Sequence, residues 1–342
     1  MSYPFSLPVL WFLLVGILLA GYAILDGFDL GVGMLLPFVK GDTNRRIILN
    51  SIGPVWDGNE VWLVVGGGAM FAAFPDVYAT VFSGFYLPFM ILLFALIFRA
   101  VAIEFRSREP WPIWRKTWDI SFSIASLVIA LLMGVALGNM VLGIPLSSHW
   151  EYMGGFFNLL NPYALIVGLT TVALFAMHGA IYVTLKVEGD LHDWAFAWVK
   201  QAMIFFGVMY GLLTIATFIF APYMADKIRS NPWLIFAPLV TLVSIANVPR
   251  EIVAKREIWA FASSCVAVMS LLGLFGLGLF PNIVISNPVP ANSITVWNGH
   301  ASLPTLTVMT SIAFIGIPFV LAYTFAIYRI FRGKVDPNKL LY

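Results

Sequence analysis

L-P-V-L-W-F-L-L-V-G-I-L-L-A-G-Y-A-I-L, Leu7 to Leu25, carries no charge and runs straight into D-G-F-D-L-G-V-G, Asp26 to Gly33. A helix needs about 20 consecutive apolar residues to cross a bilayer, so this stretch reads as a membrane span that ends on two aspartates. A second carboxylate pair, in W-D-G-N-E from Trp56 to Glu60, opens another apolar run. Carboxylates inside or at the edge of hydrocarbon are costly and mark functional sites.

The rest of the chain follows the same pattern. Hydrophobic residues make up 61% of the 342 and charged ones only 11%, with a mean hydropathy of +0.91, whereas soluble domains carry about 25% charged residues. The expected fold class is therefore an all-α polytopic membrane protein. In lipid every backbone polar group must be satisfied within the segment, and the sequence lacks the alternation of a barrel. Nine spans are expected, over roughly 8–36, 52–72, 78–98, 118–141, 162–185, 202–222, 233–248, 258–280 and 305–331. They form one integral-membrane domain over 1–342. No Lys or Arg precedes the first run and no small-x-small cleavage signal follows it, so it reads as a retained helix rather than a signal peptide.

Loop charge orients these spans. Of the 19 lysines and arginines, all but Lys227 and Arg229 fall in alternate connections or the C-terminal tail, among them Arg45, Arg46, Arg99, Arg106, Arg115, Arg250 and Arg332. The N-terminus is expected outside and the C-terminus in the cytoplasm. Asp26, Asp29, Asp57, Glu60 and Arg99 then gather toward the cytoplasmic end of the first three spans. Each carboxylate pair is spaced i, i+3 and shares a helix face. Burial raises a carboxyl pKa and a nearby arginine lowers it, so such a group can hold a transferable proton. A proton path from the cytoplasm is the expected role, with Asp57 the sharper candidate; anchoring of helix ends by pairing with Arg99 is the plainer one.

Other chemistries find less support. Net charge is +2 and no basic run is interleaved with aromatics, which argues against nucleic acid. The single cysteine, Cys265, excludes an intrachain disulfide and a cysteine metal cluster. Of the four histidines only His178 falls within a span, so a bis-histidine haem cannot form in the membrane, and a hydrogen-bonded or packing role suits His178 better than haem ligation. No metal motif is present. Gly66–Gly68 and Gly31/Gly33 lack the Lys-Ser/Thr of a phosphate loop and read as close-approach positions for helices. Trp56 and Trp62 suit an interfacial belt or packing, and could also flank a quinone or a gas path.

L-D-G-F-D-L-G-V-G (Leu25–Gly33), R-R-I-I-L-N-S-I-G-P-V-W-D-G-N-E-V-W-L (Arg45–Leu63), F-A-A-F-P (Phe71–Pro75), F-S-G-F-Y (Phe82–Tyr86), G-V-A-L-G-N (Gly134–Asn139) and F-F-N-L-L-N-P (Phe156–Pro162) together resemble subunit II of the cytochrome bd-type quinol oxidases. The resemblance implies two four-helix bundles plus one peripheral helix, the first bundle over about 8–141, the second with the peripheral helix over about 162–331. It implies a heterodimer with subunit I, which carries the haems (b and d, or b alone) and oxidises quinol while reducing dioxygen to water. This chain would bind no haem tightly and would not be active alone; a structural quinone and a small accessory membrane subunit are further components the family includes. By motif, Asp57 and Arg99 match positions proposed to line proton access, with Asp26 and Asp29 as partners, and Trp62 matches a position near a proposed oxygen route. The location implied is the cytoplasmic membrane of a bacterium or archaeon. The rival readings are a proton-coupled secondary transporter, which would show paired broken helices at the midplane, and a purely structural subunit.

Overall fold

The computed structural model describes residues 6–340. Its helices, in chain order, are α1 (Leu7–Leu35), α2 (Asp42–Ile52), α3 (Trp56–Ala73), α4 (Pro75–Gly84), α5 (Tyr86–Phe105), α6 (Pro112–Leu142), α7 (Pro162–Lys186), α8 (Gly189–Phe220), α9 (Asp226–Ser230), α10 (Phe236–Val253), α11 (Glu257–Leu279) and α12 (Leu303–Ile330). Among the described residues eight helices are long and apolar enough to cross a membrane, or nine when α3 and α4 count as one bent crossing. Prolines open α4, α6 and α7 and stand within the first turns of α1 and α12, where the missing N–H would be unpaired in any case.

Several expected boundaries move: α6 begins at Pro112 rather than 118 and α8 at Gly189 rather than 202. The second span starts a turn later than 52, at Trp56 of α3, and is preceded by a separate helix, α2, that ends at Ile52 and buries Ile48, Leu49 and Ile52. The third crossing is α5, from Tyr86 to Phe105, rather than 78–98. Pro75 explains the shift. It cannot continue a helix from α3 and restricts Phe74 before it, so α4 leaves α3 at 120° and residues 75–84 belong to the turn, not to the third span.

α7 is the centre of the assembly, with 67% of its most apolar window buried, whereas α12 has 6%. α1 packs against α3, α6, α7, α11 and α12; α5 packs on α6, α8 on α7, and α10 on α11. Between helices in lipid there is no water to expel, so close backbone approach does the work that apolar burial does in water. The α1–α7 contact depends on it. A Cβ on Gly31 would stand 2.0 Å from the Phe175 carbonyl oxygen and 2.8 Å from the Gly179 Cα, and one on Gly179 would meet the Gly31 backbone at 2.5 Å.

The connections at the far end from the carboxylates fold together. Strands β1 (Asn282–Val284) and β2 (Ile294–Thr295) pair antiparallel, and Ile144 exchanges backbone hydrogen bonds with Ile285 and Asn287 at 2.9 and 3.0 Å. Ile144, Leu146, Leu159, Val284, Ile294 and Val296 bury a small core with Phe74, Val77 and Phe85. These apolar side chains are what turns three connections into one ordered cap.

Candidate functional site

α1 brings Asp26 and Asp29, α3 brings Asn59 and Glu60, and α5 brings Arg99 to one end of the bundle. Asp26 and Arg99 are fully buried and joined by a two-point contact. One Arg99 guanidinium nitrogen lies 2.9 Å from Asp26 Oδ2 and the other bonds Oδ1. The fork geometry of arginine suits this parallel pairing. Glu60 Oε1 lies 3.3 Å from the same guanidinium, with its side chain 19% exposed. Removing two charges from water costs several kcal/mol per ion, so the pair holds only because each charge answers the other.

Asp29 forms a second arm. Its Oδ2 accepts from Asn59 Nδ2 at 2.7 Å, and the same amide nitrogen donates to the Leu25 carbonyl at 3.2 Å. Asn59 Oδ1 accepts from the Tyr328 hydroxyl at 2.8 Å, which draws α12 into the site. Asp29 Oδ1, Arg99 Nε and the Tyr22 hydroxyl are buried polar atoms with no hydrogen-bond partner among the described residues. Buried groups of this kind are sites for ordered water.

Asp57 stands apart. It is exposed on α3 and forms no salt bridge among the described residues. Helical geometry accounts for this: at about 100° per residue Asp57 lies roughly opposite Asn59, which faces Asp29. The spacing that puts Asp57 near Glu60 on one face therefore aims it away from Asp29. Of the expected group, Asp26, Glu60 and Arg99 are in contact, Asp29 is adjacent through Asn59, and Asp57 lies on the outer rim next to Glu60. Asn59, Tyr22 and Tyr328 were not among the expected residues. Asn59 had a signal, a buried-type polar residue inside W-D-G-N-E; Tyr328 had none.

Aromatic packing walls the site off. Phe28, between the two aspartates, stacks on Tyr182 with centroids 4.0 Å apart, and Tyr182 and His178 both face Phe261. Trp56 is buried in the same cluster as Phe28. The Trp62 indole lies against the α1 backbone at Gly21, where a Cβ would come within 2.3 Å of the ring. His178 has both ring nitrogens engaged, Nε2 with the Ile24 carbonyl at 2.9 Å and Nδ1 with Ser264 Oγ at 2.8 Å. Facing a carbonyl makes Nε2 the protonated nitrogen, so neither nitrogen is positioned to ligate iron, and the residue ties α1, α7 and α11 together. Among the described residues no group of His, Cys, Asp and Glu could hold a metal ion.

A second charged network closes the same end. Arg106 Nε lies 2.5 Å from Asp119 Oδ1, Arg106 also reaches Asp42 at 2.8 Å, Arg45 reaches Asp119 at 3.2 Å, and Arg115 reaches Asp42 at 2.7 Å. Burial alone would lower the Arg106 pKa, but the bonds and charges of Asp119 and then Asp42 raise it on balance. These residues come from α2, α6 and the turn after α5, so the network fastens the surface helix α2 to the spanning ones.

Fold and site together define a class: a multi-pass α-helical membrane protein with an arginine–carboxylate cluster buried between its spanning helices. Residues 7–331 match the profile of the family described as cytochrome bd terminal oxidase subunit II. The chain is 36% identical to cytochrome bd-I ubiquinol oxidase subunit 2 of Escherichia coli K12, over 98% of this chain and 96% of that protein. It is 34% identical to cytochrome bd ubiquinol oxidase subunit 2 of Bacillus subtilis, over 97% of each. Its fold is similar to a chain of the bd oxidase from Geobacillus thermodenitrificans, with a TM-score of 0.78 at 16% identity, covering 96% of this chain and 99% of that one. The chain belongs to the cytochrome bd terminal oxidase subunit II family.

Proposed function

We propose that this chain is subunit II of a quinol:dioxygen oxidoreductase in a bacterial or archaeal cytoplasmic membrane, that it scaffolds a haem-bearing subunit I as a heterodimer, and that its buried cluster admits protons from the cytoplasm. Family membership supports the first part. The observation that carries the last is the graded burial of one set of acidic groups: Asp57 exposed, Glu60 half-buried against Arg99, Asp26 and Asp29 sealed within. Loop charge supports an outside N-terminus and a cytoplasmic C-terminus, which turns this gradient toward the cytoplasm. The helix contacts suit a first bundle of α1, α3, α5 and α6, a second of α7, α8, α10 and α11, and α12 at the periphery.

Dioxygen reduction at haems held by the partner consumes protons, while quinol releases its own on the outer side. Drawing the consumed protons from the cytoplasm builds a membrane potential without pumping. In this reading Asp57 gathers protons at the rim, Glu60 relays them inward, and the Arg99 guanidinium, in contact with both Glu60 and Asp26, offsets the negative charge of the carboxylates around it. The two-arm arrangement favours this over a purely structural cluster, because a structural pair needs no acid open to solvent beside it. A secondary transporter would purify colourless and alone, whereas an oxidase subunit co-purifies with a larger, haem-absorbing partner.

Glu60→Gln in the assembled complex should lower quinol-driven oxygen consumption roughly 100-fold, the lower end of what a positioned proton-transfer group contributes. Haem content should be unchanged. Asp57→Asn should cost less, because solvent reaches Glu60 without it. Oxygen consumption at the wild-type rate in an assembled Glu60→Gln complex would remove the cluster from the mechanism.

A further inference from the structure

The peripheral helix α12 has a role that its loose packing conceals. Its Tyr328 hydroxyl donates to Asn59 Oδ1 at 2.8 Å, and Asn59 in turn donates to Asp29 at 2.7 Å. Asn59 is 2% exposed and Asp29 fully buried. An amide has one acceptor end and one donor end. The Leu25 carbonyl and the Asp29 carboxylate, which can only accept, hold the NH2 end of Asn59, and the Tyr328 hydroxyl donates to the oxygen end. The amide that donates to Asp29 is thus paired at its oxygen end by a residue 269 positions away in the chain.

The end of α12 that carries Tyr328 is fastened by the tail. Lys334 Nζ donates to the Thr184 and Val187 carbonyls, at 2.8 Å each. The Val335 amide donates to the Lys186 carbonyl at 2.9 Å, and Lys186 Nζ reaches back to the Phe331 carbonyl at 2.7 Å. The Thr184, Lys186 and Val187 carbonyls belong to the last turn of α7 and the residue after it, where a helix leaves its acceptors unpaired. A lysine ammonium there also suits the negative end of the helix dipole. The tail therefore caps the central helix and in doing so sets how far Tyr328 reaches toward α3.

We propose that Tyr328 is a positioning residue for Asp29, held in register by the Lys334 latch on the end of α7. The proposal rests on the reading of the cluster as a proton path. Without the phenol hydroxyl, Asn59 keeps a buried oxygen that loses its partner, and the amide loses the contact that fixes its position between Asp29 and α12. α12 then serves the chemistry although it lies outside both bundles.

The test uses the purified complex with its partner subunit and two readouts: the rate of proton uptake when oxygen meets the reduced enzyme, and the carboxyl C=O band of Asp29 in redox-difference infrared spectra, assigned by its loss in Asp29→Asn. Tyr328→Phe is expected to shift that band and slow proton uptake about fivefold to tenfold, the effect of one neutral hydrogen bond. Lys334→Met, which removes the latch and a 4.0 Å ion-pair contact with Glu257 but touches neither Asn59 nor Asp29, should move both readouts in the same direction by less. A merely structural α12 would lower thermal stability and leave the Asp29 band in place. Wild-type band and uptake in Tyr328→Phe, with Glu60→Gln still slow, would overturn this proposal alone; wild-type uptake in both would overturn the proton-path reading itself. If Tyr328→Phe does not assemble, Lys334→Met decides: slower uptake with a moved band supports the proposal, and unchanged values overturn it.

Discussion

Replacing Arg99 with methionine is expected to leave almost no assembled complex to purify. Arg99 is fully buried and so is its partner Asp26, and their two-point contact is the main compensation for taking both out of water, with Glu60 the further carboxylate on the guanidinium. Removing one member of a buried pair costs about 3–5 kcal/mol, because the survivor is left as an uncompensated charge or must take up a proton. Glu60, which also leans on this guanidinium, loses its partner at the same time. The double variant Asp26→Asn with Arg99→Met removes the charge problem and should recover most of the lost assembly, since an apolar or neutral replacement of both members is close to neutral. Haem absorbance per cell and the thermal unfolding midpoint of whatever is recovered measure both effects. Wild-type yield from the single variant would mean that the pair contributes nothing to the fold.

Gly31→Val should be as damaging for a steric reason. Its Cβ would overlap the Phe175 carbonyl oxygen at 2.0 Å and press on the Gly179 backbone. Both obstacles are main chain in the middle of helices, so no rotamer change relieves them, and α1 must move away from α7. The expected loss is about 3 kcal/mol or more, the upper end for overpacking, because the most buried helix of the protein gives up its closest neighbour. Gly67→Ala is the control. A Cβ there meets nothing within 4 Å, and alanine in a helix is favoured over glycine by about 1 kcal/mol. A thermal scan of the detergent-solubilised complex should therefore rank the control at or above wild type and Gly31→Val far below it. Equal midpoints for Gly31→Val and wild type would contradict the close α1–α7 contact.

The spanning helices were legible in the sequence because a long uncharged run has one stable form in lipid. What hid was local. Pro75 marks a break, but the bend that makes α4 part of the turn depends on Val77 and Phe85 being drawn into the cap core with Ile144 and Val284, and that core is assembled from three distant connections. The convergence of acids on Arg99 was legible from loop charge and helix direction. The choice among them was not. The i, i+3 spacing placed Asp57 with Glu60, and only the packing of α3 on α1 decides that Asn59 faces inward and Asp57 outward. Asp26, expected as a partner, turned out to be the residue paired with Arg99. Tyr328 was beyond reach for the plainest reason: a tyrosine near the end of an apolar helix reads as belt or packing, and its contact with Asn59 spans nearly the whole chain.

The central claim is that protons used at the partner's haems pass through the cluster around Arg99. The most direct test is the electrical signal of a single turnover in proteoliposomes, with wild-type complex compared to Glu60→Gln and Asp29→Asn complexes of equal haem content. The movement of positive charge away from the cytoplasmic side is expected to slow strongly in both variants, while the electron-transfer steps that need no proton keep their wild-type rates. Charge movement at the wild-type rate in both variants would contradict it.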